Sequence, residues 1–145
     1  MNKQNGFTLI ETLIVLALVA LMFTFGTMKL NSFREASDEK HFWTQLERAW
    51  QQSQARAQNT GKPTAIKLSA NKEQLLFHAR DRNGNDDDND IQIPKTIEVR
   101  AFKSITMHQN GYVKPQTAKF YSRRTNKIYL MKIQLAYGGY YIEKK

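Results

Sequence analysis

The chain has 145 residues, no cysteine and a formal net charge of +9 at pH 7. That length leaves room for one modest core beside an N-terminal apolar helix, and the lack of cysteine excludes disulfides and thiolate metal sites. The charge excess sits at one end: residues 1–90 carry 11 Lys/Arg and 11 Asp/Glu, whereas residues 91–145 carry 11 Lys/Arg against Glu98 and Glu143 alone.

From Phe7 to Met28 the sequence is apolar apart from one formal charge, Glu11. A helix of these roughly 22 residues is about 33 Å long, enough to cross a hydrocarbon core of about 30 Å. A carboxylate inside such a segment costs about 2.5 to 3.5 kcal/mol at the helix centre and less toward an end, so its presence needs a reason. No small-residue cleavage site follows the run, which separates it from a secretory signal. In front of it, a polar leader containing Lys3 ends at Gly6, Phe7 follows, and Glu11 stands four positions later.

This is the prepilin signature, and the chain resembles the type IV pilin and pseudopilin family. The resemblance implies that a prepilin peptidase cuts after Gly6, that Phe7 becomes the N-methylated first residue, and that Glu11 is the family's assembly glutamate. Chemistry agrees: the new amine at Phe7 and the Glu11 carboxylate lie about one helical turn apart. In a stack of parallel helices, Glu11 of one subunit would meet a neighbour's terminal ammonium, offsetting its burial. Lys3 and Lys29 flank the run almost evenly, so charge does not set its orientation. The family places the N-terminus in the cytoplasm and the domain outside, first in the cell membrane and then in a surface filament. Implied partners are other pilins and pseudopilins, the prepilin peptidase, the assembly platform with its ATPase, and membrane lipid. The expected organisation is a leader over 1–6, a membrane and assembly half-helix over 7–30, and a globular domain over 31–145.

Beyond Leu30 the helix continues as an amphipathic one. Phe33, Ala36, Trp43, Leu46, Trp50 and Ala57 recur at helical spacings, with Arg34, Glu35, Glu39, Lys40 and Glu47 at other positions. With no proline before Pro63, one helix is predicted from about Phe7 to Gln58, ending at Asn59 to Pro63, with Gly26 as the place for a bend. Trp43 and Trp50 share a face and are predicted to pack on a sheet.

Strands are predicted at Thr64 to Leu68 and Gln74 to His78, joined by a five-residue loop, and on either side of Pro94. More follow at Ser104 to His108, Ala118 to Tyr121, Ile128 to Ala136 and Tyr140 to Ile142, with turns at Asn110-Gly111, Ser122 to Asn126 and Gly138-Gly139. Asp81 to Asp90 contains no apolar residue and is predicted to be a solvated loop. Its start, Asp81, Asn83 and Asn85, has calcium-loop spacing, but Asp86 and Gln92 stand where an EF-hand needs glycine and glutamate. The whole predicts an α+β fold, a long N-terminal helix packed on a mostly antiparallel sheet, which is the pilin-like layout.

His41, His78 and His108 have no ligand spacing, and no nucleophile elbow or phosphate loop occurs, so neither an enzyme nor a cofactor is expected. In the basic third, Lys114, Lys119, Arg123, Arg124, Lys127 and Lys132 alternate with Tyr112, Phe120, Tyr121 and Tyr129. Phosphate contact and base stacking on DNA use that mixture, and strands with lysines outward produce it too. The spacing from Asn110-Gly111 through Lys119-Phe120-Tyr121 to Gly138-Gly139-Tyr140-Tyr141-Ile142 resembles the ComGD-type minor pseudopilins of Gram-positive competence systems. That implies a low-abundance subunit for filament initiation or tip formation in DNA uptake during natural transformation. Two alternatives remain: a minor pseudopilin of type II secretion or another type IV filament, and a single-span anchored binding domain.

Overall fold

Helix α1 spans Leu9–Thr60 as one element, its backbone staying helical through Gly26. The computed structural model describes residues 8–80, 86–134 and 138–145, without the side chains of 25–30, 80, 86 and 87. Thr8 caps the helix: the Glu11 N–H donates to Thr8 Oγ1 at 3.4 Å and to the Thr8 carbonyl at 3.1 Å. Thr8 and Glu11 thus have the spacing of a capping box, which fixes where the helix begins. At the far end Gly61 takes a left-handed φ of 68° and its N–H donates to the Ala57 carbonyl at 3.0 Å. Pro63 then prevents continuation.

The chain divides into two compact units, Met1–Glu35 and Ala36–Lys145. In the first, every described side chain is exposed, Leu9 through Phe23 included, and so is Phe33 at 80%. Phe33 therefore does not belong to the stripe predicted to face a core.

Among its described residues the second unit holds the rest of α1 and eight strands: β1 Thr64–Leu68, β2 Gln74–Arg80, β3 Asp86–Gln92, β4 Ile97–Ala101, β5 Ile105–Met107, β6 Gln116–Ser122, β7 Lys127–Ile133 and β8 Tyr140–Lys144. They form two antiparallel sheets, ordered β3-β2-β1-β5 and β4-β6-β7-β8, where one sheet was expected. The α+β class holds. Alternation decides which face is inside: in β6, Ala118, Phe120 and Ser122 are buried, and in β7, Met131 and Ile133. Ile66, Phe77, Ile105 and Met107 do the same for the first sheet. Against these, α1 presents Phe42, Leu46, Ala49, Trp50 and Ala57 at helical spacing. Aromatic rings join helix to second sheet: Trp43 lies 5.5 Å from Phe120 and 5.2 Å from Tyr129, and Trp50 lies 5.0 Å from Tyr140. Each fully buried large side chain contributes about 1.5 to 3 kcal/mol.

The acidic stretch is a correction. Residues Asp86 to Asp90 do not loop but pair with β2 in register, Asp88 opposite His78 and Asp90 opposite Leu76. Asp and Asn disfavour strands because they usually sit in half-buried pleats. Here β3 is the outermost strand, Asp88, Asn89 and Asp90 are exposed and keep their hydration, and buried Ile91 and Ile93 fix the register.

Candidate assembly and binding surfaces

Glu11 lies on the exposed first unit among Leu9, Ile10, Leu13 and Ile14, all exposed. Gly6 and Phe7 fall outside the described residues, as do Asp81, Asn83 and Asn85. Among the described residues no helix is long and apolar enough to cross a membrane, and the described side chains of the apolar run end at Thr24. Thr8, the helix cap next to Phe7, was missed from sequence although Thr8-x-x-Glu11 carries the signal.

The six basic residues singled out in the last third do not form one patch. Lys119 and Lys132 point away from the core on β6 and β7, sharing that face with Tyr121 and Arg100. Lys132 pairs with Glu143 and stands 5.8 Å from the Tyr141 ring centroid. The Glu143 hydrogen bond raises the Lys132 pKa, and the same bond lowers that of Glu143. Arg123 reaches Glu98 at 3.6 Å, and Arg100 reaches the same carboxylate at 3.1 Å while stacking over Tyr121. Lys114 is exposed ahead of β6, and Lys127 is exposed at the start of β7.

Arg124 turns the other way. Its guanidinium donates to Glu39 Oε2 at 3.2 Å, and the Ser122 hydroxyl donates to Oε1 of the same carboxylate at 2.8 Å. Ser122 Oγ in turn accepts the Thr125 N–H at 3.1 Å. Glu39 is only 3% exposed, so this network ties α1 to the β6–β7 turn through a buried, compensated charge. Placing Glu39 off the apolar stripe is corrected accordingly: it precedes Phe42 by three and Leu46 by seven, on the buried stripe.

A groove of about 700 Å³ runs between α1 and β8, lined by Lys40, Trp43, Thr44, Glu47 and Gln51 on one side and Tyr140 to Ile142 on the other. Burial, with Glu47 nearby, pushes the Tyr140 hydroxyl up to about 12. At one end the Trp50 indole N–H donates to the Gly138 carbonyl at 2.9 Å. Gly138 has a φ of +64°, and a Cβ there would come within 2.0 Å of the Gly111 carbonyl oxygen. Among the described residues no three His, Asp or Glu side chains gather to hold a metal ion. His78 meets Asp88 at 2.8 Å, and His41 meets Gln45 at 3.1 Å.

Residues 1–27 match the prokaryotic N-terminal methylation motif. No curated protein sequence matches the chain. Among solved structures, the minor pseudopilin EpsH from the type 2 secretion system of Vibrio cholerae is similar at 11% identity and a TM-score of 0.49, covering 74% of this chain and 93% of that one.

Proposed function

We propose that the chain is a minor pilin-like subunit of a type IV filament, made as a membrane precursor with its N-terminus in the cytoplasm and then assembled into a surface filament. The observation that carries this reading is the methylation motif over residues 1–27, with Glu11 as its single carboxylate in an apolar run. In this reading residues 1–6 are the leader, 7–30 the membrane and assembly segment, and 31–145 the domain the filament displays. Its partners are other pilins, the prepilin peptidase and the assembly platform with its ATPase. The spacing of the last third supports a more specific role, filament initiation or tip formation in DNA uptake during natural transformation. DNA contact then falls to exposed Lys114, Lys119 and Lys127 and to Arg123, which stays 66% exposed at 3.6 Å from Glu98, because Arg124 is engaged by Glu39 and Lys132 by Glu143.

Co-expression with a prepilin peptidase tests the proposal. Mass spectrometry of the product is expected to find N-methylated Phe7 as the first residue, and Gly6→Val is expected to keep the leader attached. An intact leader in the wild-type chain in the presence of active peptidase overturns the reading.

A further inference from the structure

Among the described residues β8 is the outermost strand of its sheet. Ile128 and Lys145 exchange both backbone hydrogen bonds, at 3.0 and 2.8 Å, and the Gln134 N–H donates to the Gly139 carbonyl at 3.1 Å. Such bonded rungs alternate along an antiparallel ladder, so Leu130–Glu143 and Lys132–Tyr141 are the bonded rungs between. The N–H and C=O groups of Tyr140, Ile142 and Lys144 therefore point away from β7, along the outer edge. Their side chains lie on the helix side, where Tyr140 packs on Trp50 and Lys144 Nζ stands 5.5 Å from the Tyr129 ring centroid. Beside this edge runs the groove, walled by Thr44, Glu47 and Gln51 of α1. An edge strand next to such a groove is a place for one more strand to add.

The first sheet ends in an edge of the opposite charge. The Ile93 N–H donates to the Glu73 carbonyl at 2.7 Å, so Leu75–Ile91 and Phe77–Asn89 are bonded rungs of β2 and β3. Asp88, Asp90 and Gln92 then aim their backbone groups outward, and all three side chains are exposed.

We infer that the β8 edge receives the β3 edge of a second copy of this chain, added antiparallel along the groove. Charge selects the occupant and disfavours a register shifted toward Tyr140. With Asp88 opposite Lys144, Asp90 opposite Ile142 and Gln92 opposite Tyr140, facing rungs carry their side chains on one face, so both carboxylates lie on the groove side with Lys144 and Lys40, Arg124 there being already held by Glu39. A shift of two residues would instead put Asp90 against Tyr140, where Glu47 acts on the hydroxyl. Asp88 already meets His78 through Oδ1 at 2.8 Å. The contact is head-to-tail, since each copy keeps an unused β3 or β8 edge, and two copies suffice to make it. It goes beyond the filament reading and does not depend on it.

The chain has no cysteine, so introduced cysteines report the contact directly. Two full-length chains, one carrying Asp90→Cys and the other Ile142→Cys, are co-expressed, and intact cells are oxidised. Disulfide-linked dimers are expected to form at least about tenfold faster than for Asp90→Cys with Tyr141→Cys, whose side chain points to the opposite face. A second pair, Asn89→Cys with Glu143→Cys, tests the same register on the opposite face while keeping Asp88, Asp90 and Lys144. Adding Ile142→Pro to this second pair removes one outward N–H while leaving the β7 ladder bonded, and is expected to abolish its crosslink. Equal rates for Ile142→Cys and Tyr141→Cys, or no crosslink from either edge pair, overturns the inference.

Discussion

Removing Arg124 isolates the Glu39 carboxylate in a site that is 3% exposed, with Ser122 as its remaining described donor. Breaking a buried ion pair by deleting one partner costs about 3 to 5 kcal/mol when both charges are sealed from water. The Arg124 side chain is 31% exposed, so solvent screens its end of the pair, and we expect Arg124→Ala to cost about 2 to 3 kcal/mol. Every described buried side chain lies at Glu39 or beyond, so the fragment from Ala36 to Lys145 keeps the core and suits a melting experiment. At about 4 °C per kcal/mol for a domain of this size, the melting temperature should fall by roughly 8 to 12 °C. Glu39→Leu combined with Arg124→Leu should recover most of the loss, because no charge is then left buried. The measurement is thermal denaturation by circular dichroism at neutral pH. A melting temperature for Arg124→Ala within about 1 °C of wild type, or a double variant no better than Arg124→Ala, would refute the buried-pair reasoning.

If the exposed lysines and Arg123 meet DNA, Arg123→Ala should lower the salt slope of duplex binding by about 1, while Arg124→Ala, assayed well below its melting point, should leave it unchanged. Glu11→Val should preserve membrane insertion and cleavage after Gly6 but reduce recovery in sheared surface filaments and transformation frequency; wild-type levels of both would remove the charge-pairing role. In alkaline ultraviolet titration of the tyrosines, one is expected to ionise near pH 12, and Tyr140→Phe should delete that late step. Because the folded value lies above the ordinary 10, this tyrosine keeps its proton longer in the folded chain, and its contribution to stability is full below pH 10 and lost as pH rises toward 12. Gly138→Ala should destabilise by more than about 1 kcal/mol, read from the same melts, since it meets both a left-handed φ and the Gly111 carbonyl.

Periodicity made the helix and most strands legible. The 3.6-residue recurrence of Leu46, Trp50 and Ala57 and the two-residue alternation through Phe120 and Met131 each report which side is covered. β1 matches its expected range, and β2 and β6 run one or two residues longer at their ends, where pairing with a neighbour extends a strand beyond its apolar pattern. What failed was composition used as a proxy for pairing. Asp86 to Asp90 looks like a loop because its side chains need water, yet an edge strand supplies water on its outer side and backbone pairing on the other. Glu39 fails in reverse: helical spacing alone sets this carboxylate apart from the apolar stripe, because its partners, Ser122 and Arg124, lie more than 80 residues away. The division into two sheets leaves no local trace at all, since register between distant strands is decided by packing on α1.

The same distances change what the basic third can do. Net charge acts at long range and survives pairing, so the excess of residues 91–145 still draws in polyanions over a Debye length of about 8 Å at physiological salt. Contact at phosphate distance is different, because it needs cations not already held. Arg124 serves the core, Lys132 its cross-strand glutamate, and Arg100 the Glu98 carboxylate and the Tyr121 ring. Steering and contact therefore separate in this domain. Substituting Lys95 or Lys103, outside the strands, should slow association with little effect on dissociation, whereas Lys119→Ala should act mainly on dissociation. Stopped-flow binding of a short duplex to the Ala36–Lys145 fragment distinguishes the two, and equal effects on both rates from every lysine would mean that the domain holds DNA by net charge alone.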